Sequence, residues 1–228
     1  VNRPLLLLVE DDCDLRGVVA LALRNYGYEV KEAGTGSEAL RLIRVRAPDA
    51  VILDLGLPDM DGFEVTASIR AEYELPIIVL SASAEEQHQV RALDGGANDY
   101  VTKPFREREL MARVRVALRR PTTQGQDNDT TTIGDLRIET GKRRVFLAGV
   151  EIKLTRTEFE VLDVLARKAD RVVTHRQLLQ AVWGSAHVNE IHYLRVYVKL
   201  LRQKLEENPT SPKRLVTALG VGYRLVPA

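Results

Sequence analysis

Residues 50–62 read Ala-Val-Ile-Leu-Asp-Leu-Gly-Leu-Pro-Asp-Met-Asp-Gly. The apolar run 50–53 is short and lacks polar alternation, the pattern of a strand buried on both faces. It stops at Asp54, which leaves a carboxylate at the strand's carboxyl end. The same device recurs along the chain. Residues 5–9 run into Glu10-Asp11-Asp12, 77–80 into Ser81, and 100–101 into Thr102-Lys103-Pro104, while 29–33 offer a weaker strand. Between the first two runs, Leu15, Val18, Val19, Ala22, Leu23 and Tyr26 follow helical spacing as far as Gly27. Strand–helix alternation over residues 1–120 predicts an α/β fold, a doubly wound five-stranded parallel sheet covered by helices on both faces.

In such a sheet ligands bind beyond the carboxyl ends of the strands. Every charged or polar strand end here falls on that edge. Three carboxylates brought together repel one another and call for a cation, and hard oxygen ligands with room for water favour Mg2+. A cation there screens Asp54 from incoming phosphoryl oxygens, while the Lys103 ammonium and Ser81 hydroxyl stabilise their charge. The expected product is an acyl phosphate on Asp54. A solvated acidic surface cluster is the bland alternative, and four convergent strand ends weigh against it.

The rest of the chain differs in charge and pattern. Residues 1–120 carry 16 Lys and Arg against 20 Asp and Glu, a net of −4, whereas 121–228 carry 17 against 12, a net of +5. The basic half is expected to meet a polyanion. Residues 121–131 are polar and aperiodic and read as a linker. Beyond it, segments 136–139 and 144–147 read as strands. Thr155 with Glu158, and Thr174 with Gln177, have capping-box spacing before two helices. A long helix is expected over about 189–207. Residues 215–218, a turn at 220–222 and 223–226 then form a hairpin. Three helices and a terminal hairpin predict a winged helix-turn-helix over 132–228. On the long helix, Ile191, Leu194, Val198, Leu201 and Leu205 form the buried stripe. His192, Tyr193, Val196, Lys199, Leu200 and Gln203 face the other way, with Arg195 and Arg202 on the flank. Such a face suits a helix in the DNA major groove, and Arg224 of the hairpin joins it. His175, His187 and His192 lack metal-ligand spacing.

The lone Cys13 excludes an internal disulfide and reads as a small residue packed at a helix start, compatible with a reducing cytoplasm. No run reaches the ~18 apolar residues that a membrane span needs, and the first residues do not make a secretory signal.

Residues 1–120 resemble the CheY-like receiver domain of bacterial two-component response regulators. The resemblance rests on Glu10-Asp11, on Asp54 within the 53–62 string, and on Ser81-Ala82, Tyr100 and Lys103-Pro104-Phe105. It implies Asp54 as phosphoacceptor, Asp11 as a direct metal ligand, Glu10 as an indirect one, and the Gly56 carbonyl as a third. Ser81 and Lys103 would contact the phosphoryl group, and Tyr100 would turn inward as Ser81 moves. Asp12, Asp59 and Asp61 are expected to be capping or solvated residues. Residues 132–228 resemble the effector domain of the OmpR/PhoB family, on the strings at 154–159, 182–184 and 220–224. His-Tyr-Leu-Arg-Val-Tyr at 192–197 and Leu-Arg-Gln-Lys-Leu-Glu at 201–206 resemble its KdpE-type branch, which controls potassium-uptake genes; paralogues sharing these strings serve other stresses. The implied partners are a sensor histidine kinase, double-stranded promoter DNA, RNA polymerase and, on phosphorylation, a second copy of the chain. For that dimer Asp99 can pair with Arg113 and Asp94 with Arg115. Gln89 opposite Glu109, and Asn98 opposite Arg120, depart from the family's charge pairs. The implied protein is cytoplasmic and not an enzyme beyond slow self-dephosphorylation. A metal-dependent phosphatase with an aspartyl intermediate is the rival reading, but such hydrolases carry an acid two residues after the nucleophile, where this chain has Gly56. A third reading, a receiver used unphosphorylated for protein contacts, does not explain the complete acidic, Ser and Lys set.

Overall fold

In the computed structural model, which describes residues 3–118 and 130–228, the chain divides into two compact units, Val1–Arg119 and Arg120–Ala228. Of the expected linker, 121–129 lie outside the described residues, and Thr130 and Thr131 already belong to a strand.

The first unit is built on β1 (Leu5–Val9), β2 (Glu29–Ala33), β3 (Ala50–Asp54), β4 (Ile77–Ser81) and β5 (Asp99–Thr102). They form one parallel sheet in the order β2-β1-β3-β4-β5. Every residue of β1, β3 and β4 is buried, as expected of central strands covered on both faces. Helices α1 (Cys13–Asn25), α2 (Gly36–Val45), α3 (Gly62–Glu72), α4 (Glu86–Asp94) and α5 (Glu107–Leu118) connect and follow the strands. Alternate residues Leu6, Leu8, Ala50, Ile52, Ile78 and Leu80 pack against Val19, Ala20 and Leu23 of α1 and Leu110, Met111 and Val114 of α5.

Three helix starts are fixed by the acids expected to cap rather than ligate. Asp12 accepts the Asp14 and Leu15 N–H groups, Asp61 accepts that of Phe63, and Asp59 reaches across to the Gly36 and Ser37 N–H groups at 2.8 and 2.9 Å. Those donors, with the Ser37 hydroxyl, hold the Asp59 carboxyl down to about 2. Gly62 lets α3 start against the end of β3, because a Cβ there would lie 2.6 Å from Leu55 Cα and 2.7 Å from the Asp54 carbonyl oxygen. Two expectations for α1 are corrected. Val18 and Tyr26 of the periodic set face outward, and Cys13 is exposed rather than packed. Ala20, passed over by the periodicity, is buried instead.

The second unit opens with an antiparallel sheet of β6 (Thr130–Ile133), β7 (Leu136–Glu139), β8 (Arg144–Leu147) and β9 (Val150–Ile152). Helices α6 (Arg156–Ala166), α7 (His175–Val182) and α8 (Ile191–Leu205) follow, with a single 3-10 turn at Ser185–His187. Thr155–Glu158 and Thr174–Gln177 form complete capping boxes. The unit closes with β10 (Val173–Thr174) added to the hairpin of β11 (Leu215–Ala218) and β12 (Gly222–Leu225). Only glycine fits at 222, since a Cβ would collide with the Val173 carbonyl oxygen. Helix and hairpin together are the winged helix-turn-helix expected from sequence.

Candidate functional site

Parallel register carries the strand ends to one edge. Val9 lies beside Leu53, Asp54 beside Leu80, and Ser81 beside Thr102. Glu10 and Asp11 follow β1, Asp54 ends β3, Ser81 ends β4, and Lys103 follows β5. The strand order reverses between β1 and β3, so Asp11 and Asp54 flank the crevice at the topological switch point.

Glu10, Asp54 and Ser81 are buried, whereas Asp11 and Gly56 are exposed at the mouth. Lys103 Nζ lies 2.7 Å from Glu10 Oε2 and 2.9 Å from Asp54 Oδ2. Despite the burial that works against its charge, hydrogen bonds to both carboxylates raise the Lys103 ammonium above the ordinary lysine value. Burial pushes the Glu10 carboxyl up, and Lys103 only partly offsets it. Carboxylate oxygens of Glu10, Asp11 and Asp54 all lie within 4.8 Å of one another, the only such acidic group among the described residues. Three carboxylates against one ammonium leave two negative charges, and the donors are hard oxygens. The set therefore fits a divalent oxygen-seeking cation.

Arg16, which has no signal in the sequence, secures the loop that carries two of these acids. Its Nη1 donates to the Glu10 and Asp11 carbonyl oxygens at 2.5 and 3.2 Å. On the other side, Ser81 Oγ accepts the Ser83 N–H at 3.2 Å, and Tyr100 already points inward, its hydroxyl donating to the Ser83 carbonyl at 2.7 Å. Burial raises the Tyr100 phenol above its usual value.

The expected dimer residues separate into two kinds. Asp94 and Arg115 are exposed. Arg113 is paired within the chain, to Asp99 at 2.7 Å and Glu109 at 2.8 Å, so Asp99–Arg113 is an internal contact in this conformation. Asn98 also turns inward, its Oδ1 accepting from Arg70 and the Ile77 N–H, while Arg120 lies outside the described residues.

On α8 the buried stripe is wider than the sequence suggested. Tyr193 and Val196, expected on the outward face, are 2% and 3% exposed and have no surface for a base edge. The helix is covered on two flanks, with α6 and α7 packed against it and Trp183 meeting Tyr193 edge-on and Tyr197 at a tilt. Arg195, Lys199 and Gln203 are exposed, Leu200 and His192 half-buried. The Arg202 guanidinium, expected to flank the outward face, instead bonds the Leu215 carbonyl at 2.8 and 3.0 Å and Thr217 Oγ1 at 2.7 Å, which ties the hairpin to α8. His175, absent from the expected set, stacks edge-on against Tyr223, and burial together with Arg195 lowers its basicity. Arg224 is half-exposed on β12, and Leu219 at the hairpin tip is 89% exposed.

Comparison with known proteins agrees with this division. Residues 6–115 match the response regulator receiver domain, and 149–225 match the C-terminal domain of transcriptional regulatory proteins. The chain is 43% identical over 220 residues to the KDP operon transcriptional regulatory protein KdpE of Escherichia coli, covering 96% of this chain and 98% of that one. It is 40% identical over 225 residues to the DNA-binding response regulator MtrA of Mycolicibacterium smegmatis, at 99% and 98% coverage. Among solved structures, the OmpR/PhoB homologue DrrB of Thermotoga maritima is 31% identical, with a TM-score of 0.53 over 99% of this chain and 100% of that one. Two-domain architecture, domain matches and near full-length identity place the chain in the OmpR/PhoB family of two-component response regulators, DNA-binding regulators of transcription.

Proposed function

We propose that Asp54 is the phosphoacceptor and that its phosphorylation by a sensor histidine kinase controls promoter binding by the second unit. The observation that carries this reading is the convergence of Asp54, Lys103, Ser81 and the Glu10–Asp11 pair at one sheet edge. An Asp54 oxygen forms the new bond to phosphorus as the bond to the donor breaks, the leaving group keeping its electron pair. Lys103 is within reach of the phosphoryl oxygens, and Ser81 donates its hydroxyl once it turns from Ser83. Asp11 and Asp54, with the Gly56 carbonyl, would hold Mg2+, and Glu10 would act on it indirectly from its buried position. When bound, the ion supplies charge neutralisation between carboxylate and phosphoryl group.

Hydrolysis of the acyl phosphate needs a positioned base, and the residue nearest to that role is missing. A side chain at position 56 would start 3.7 Å from Asp54 Oδ2, and glycine offers none. The phosphorylated state is therefore long-lived, with self-dephosphorylation slow, which suits a switch and not a phosphatase.

For the second unit, Arg195 and Lys199 bond phosphates while Leu200 and His192 approach the bases, with Arg224 contributing from the hairpin. Homodimerisation through the α4–β5–α5 face and contact with RNA polymerase complete the activation. The 192–197 string and the likeness to KdpE support potassium-uptake genes as targets. Mapping the sites bound in cells discriminates these from other stress genes. The direct test is promoter affinity of the full chain with Mg2+ and a small phosphodonor. Affinity rises on phosphorylation and the rise is abolished by chelator. Equal affinity in both states contradicts the coupling.

A further inference from the structure

The loop between β1 and α1 carries Glu10, Asp11 and Asp12, and its backbone is held from both sides. On one side the Glu10 N–H donates to the Ala33 carbonyl at the end of β2, at 3.1 Å. On the other, Arg16 folds back from the first turn of α1, and a single nitrogen, Nη1, bonds both the Glu10 and Asp11 carbonyls. The Arg16 side chain is 22% exposed, and its Nε lies 3.8 Å from Glu32 on β2, which Arg24 also holds at 2.6 Å. Gly34 leaves room for the guanidinium, since a Cβ there would stand 3.3 Å from Arg16 Nη1. Asp11 is exposed, so backbone rather than packing aims its carboxylate toward Glu10 and Asp54.

We infer that Arg16 is a positioning residue for the divalent cation, fixing the Glu10–Asp11 backbone so that the Asp11 carboxylate stands in place beside Asp54. This rests on the metal reading of the site. Two effects of opposite sign meet at Arg16. A guanidinium near the site repels a cation and weakens its binding. An ordered Asp11 strengthens it, because a ligand already in place loses little freedom when the ion arrives. The geometry decides for the second. Lys103 meets carboxylates and competes with an ion for them, but Arg16 meets carbonyls, and Glu32 offsets its charge. Arg16 thus orders the ligand and leaves the ligand's negative charge to the ion.

The test is Mg2+ affinity, read from the amide NMR shifts of residues 10–12 and 54–56 in the full chain as Mg2+ is added at constant ionic strength. Arg16→Ala should weaken binding about tenfold, the low end of the loss when a group that orients a metal ligand is removed. Arg16→Lys keeps the charge but ends short of the two carbonyls, and should weaken binding by about threefold or more. Labelling by phosphoramidate gives a second readout. Half-saturating Mg2+ should rise by the same factor, while the rate at saturating Mg2+ stays within about twofold. Thermal unfolding without Mg2+ reports whether each variant is folded, and Arg16→Lys carries the test if Arg16→Ala is not. Unchanged or tighter binding by Arg16→Ala would overturn the inference. So would full affinity in Arg16→Lys, since charge alone would then suffice, or a lower saturated rate with an unchanged Mg2+ midpoint. An unaltered chain with no saturable shift overturns the metal reading as well; a saturable shift that both variants leave alone overturns this inference alone.

Discussion

Leu219 sits at the tip of the terminal hairpin with 89% of its surface exposed, between β11 and β12. A side chain this exposed contributes almost no burial energy, so Leu219→Arg should move the thermal midpoint by no more than about 2–4 °C, since solvent-exposed substitutions seldom exceed about 0.5 kcal/mol. Its consequence lies in DNA binding. Residues 217–222, Thr-Ala-Leu-Gly-Val-Gly, contain no charge, so the native tip neutralises no phosphate. A new arginine that meets one phosphate steepens the slope of log affinity against log salt by about 0.9. Between 50 and 200 mM salt that amounts to an extra loss of about three- to fourfold in affinity, with tighter binding at the low end. Fluorescence anisotropy with a promoter duplex at five or six salt concentrations resolves this. An unchanged slope with unchanged midpoint would show that the tip does not approach the duplex, and the assignment of the hairpin as a DNA-contacting wing would fail.

Asp59 should titrate near 2 by carboxyl NMR, and its contribution to stability is complete above the ordinary value of 3.8 and lost as pH falls through about 2. A midpoint near 4 would remove it as the acceptor of the first N–H groups of α2. Glu158 is 1% exposed and accepts both the Thr155 N–H and the Lys204 ammonium at 2.6 Å, so Glu158→Ala should destabilise the second unit by about 2–3 kcal/mol in denaturant unfolding; a change below about 0.5 kcal/mol would contradict this. Dimerisation of the phosphorylated receiver should be weak and salt-sensitive in sedimentation, because Arg113 is already paired within its own chain and exposed pairs contribute about 0–1 kcal/mol each. A dimer equally tight at high and low salt would refute it.

The parallel sheet was legible because its strands are unbroken apolar runs that end abruptly in charge. Parallel strands align their ends, so Asp54, Glu10, Ser81 and Lys103 were legible as neighbours before any distance was known. The partners holding this edge were not. Arg16 acts through the Glu10 and Asp11 carbonyls and Ser83 through its own N–H and carbonyl, and a bond to a backbone group leaves no pattern in side-chain identity. The four-stranded sheet is only half legible because its outer strands, Thr130–Ile133 and Val150–Ile152, are short and mostly solvated, without the alternation that reveals a buried face. On α8 a single apolar stripe was the natural reading of the wheel. Packing on two flanks buries Tyr193 and Val196 as well, and only tertiary structure decides that.

The central claim is that a phosphoryl group goes to Asp54 and nowhere else. The full chain, incubated with Mg2+ and a small phosphodonor, should gain a single phosphoryl group, stable in acid and labile in base. Borohydride reduction followed by peptide mass mapping should place it at residue 54, and Asp54→Asn should take up none. Undiminished labelling of Asp54→Asn, or a label mapped to another residue, would contradict the account.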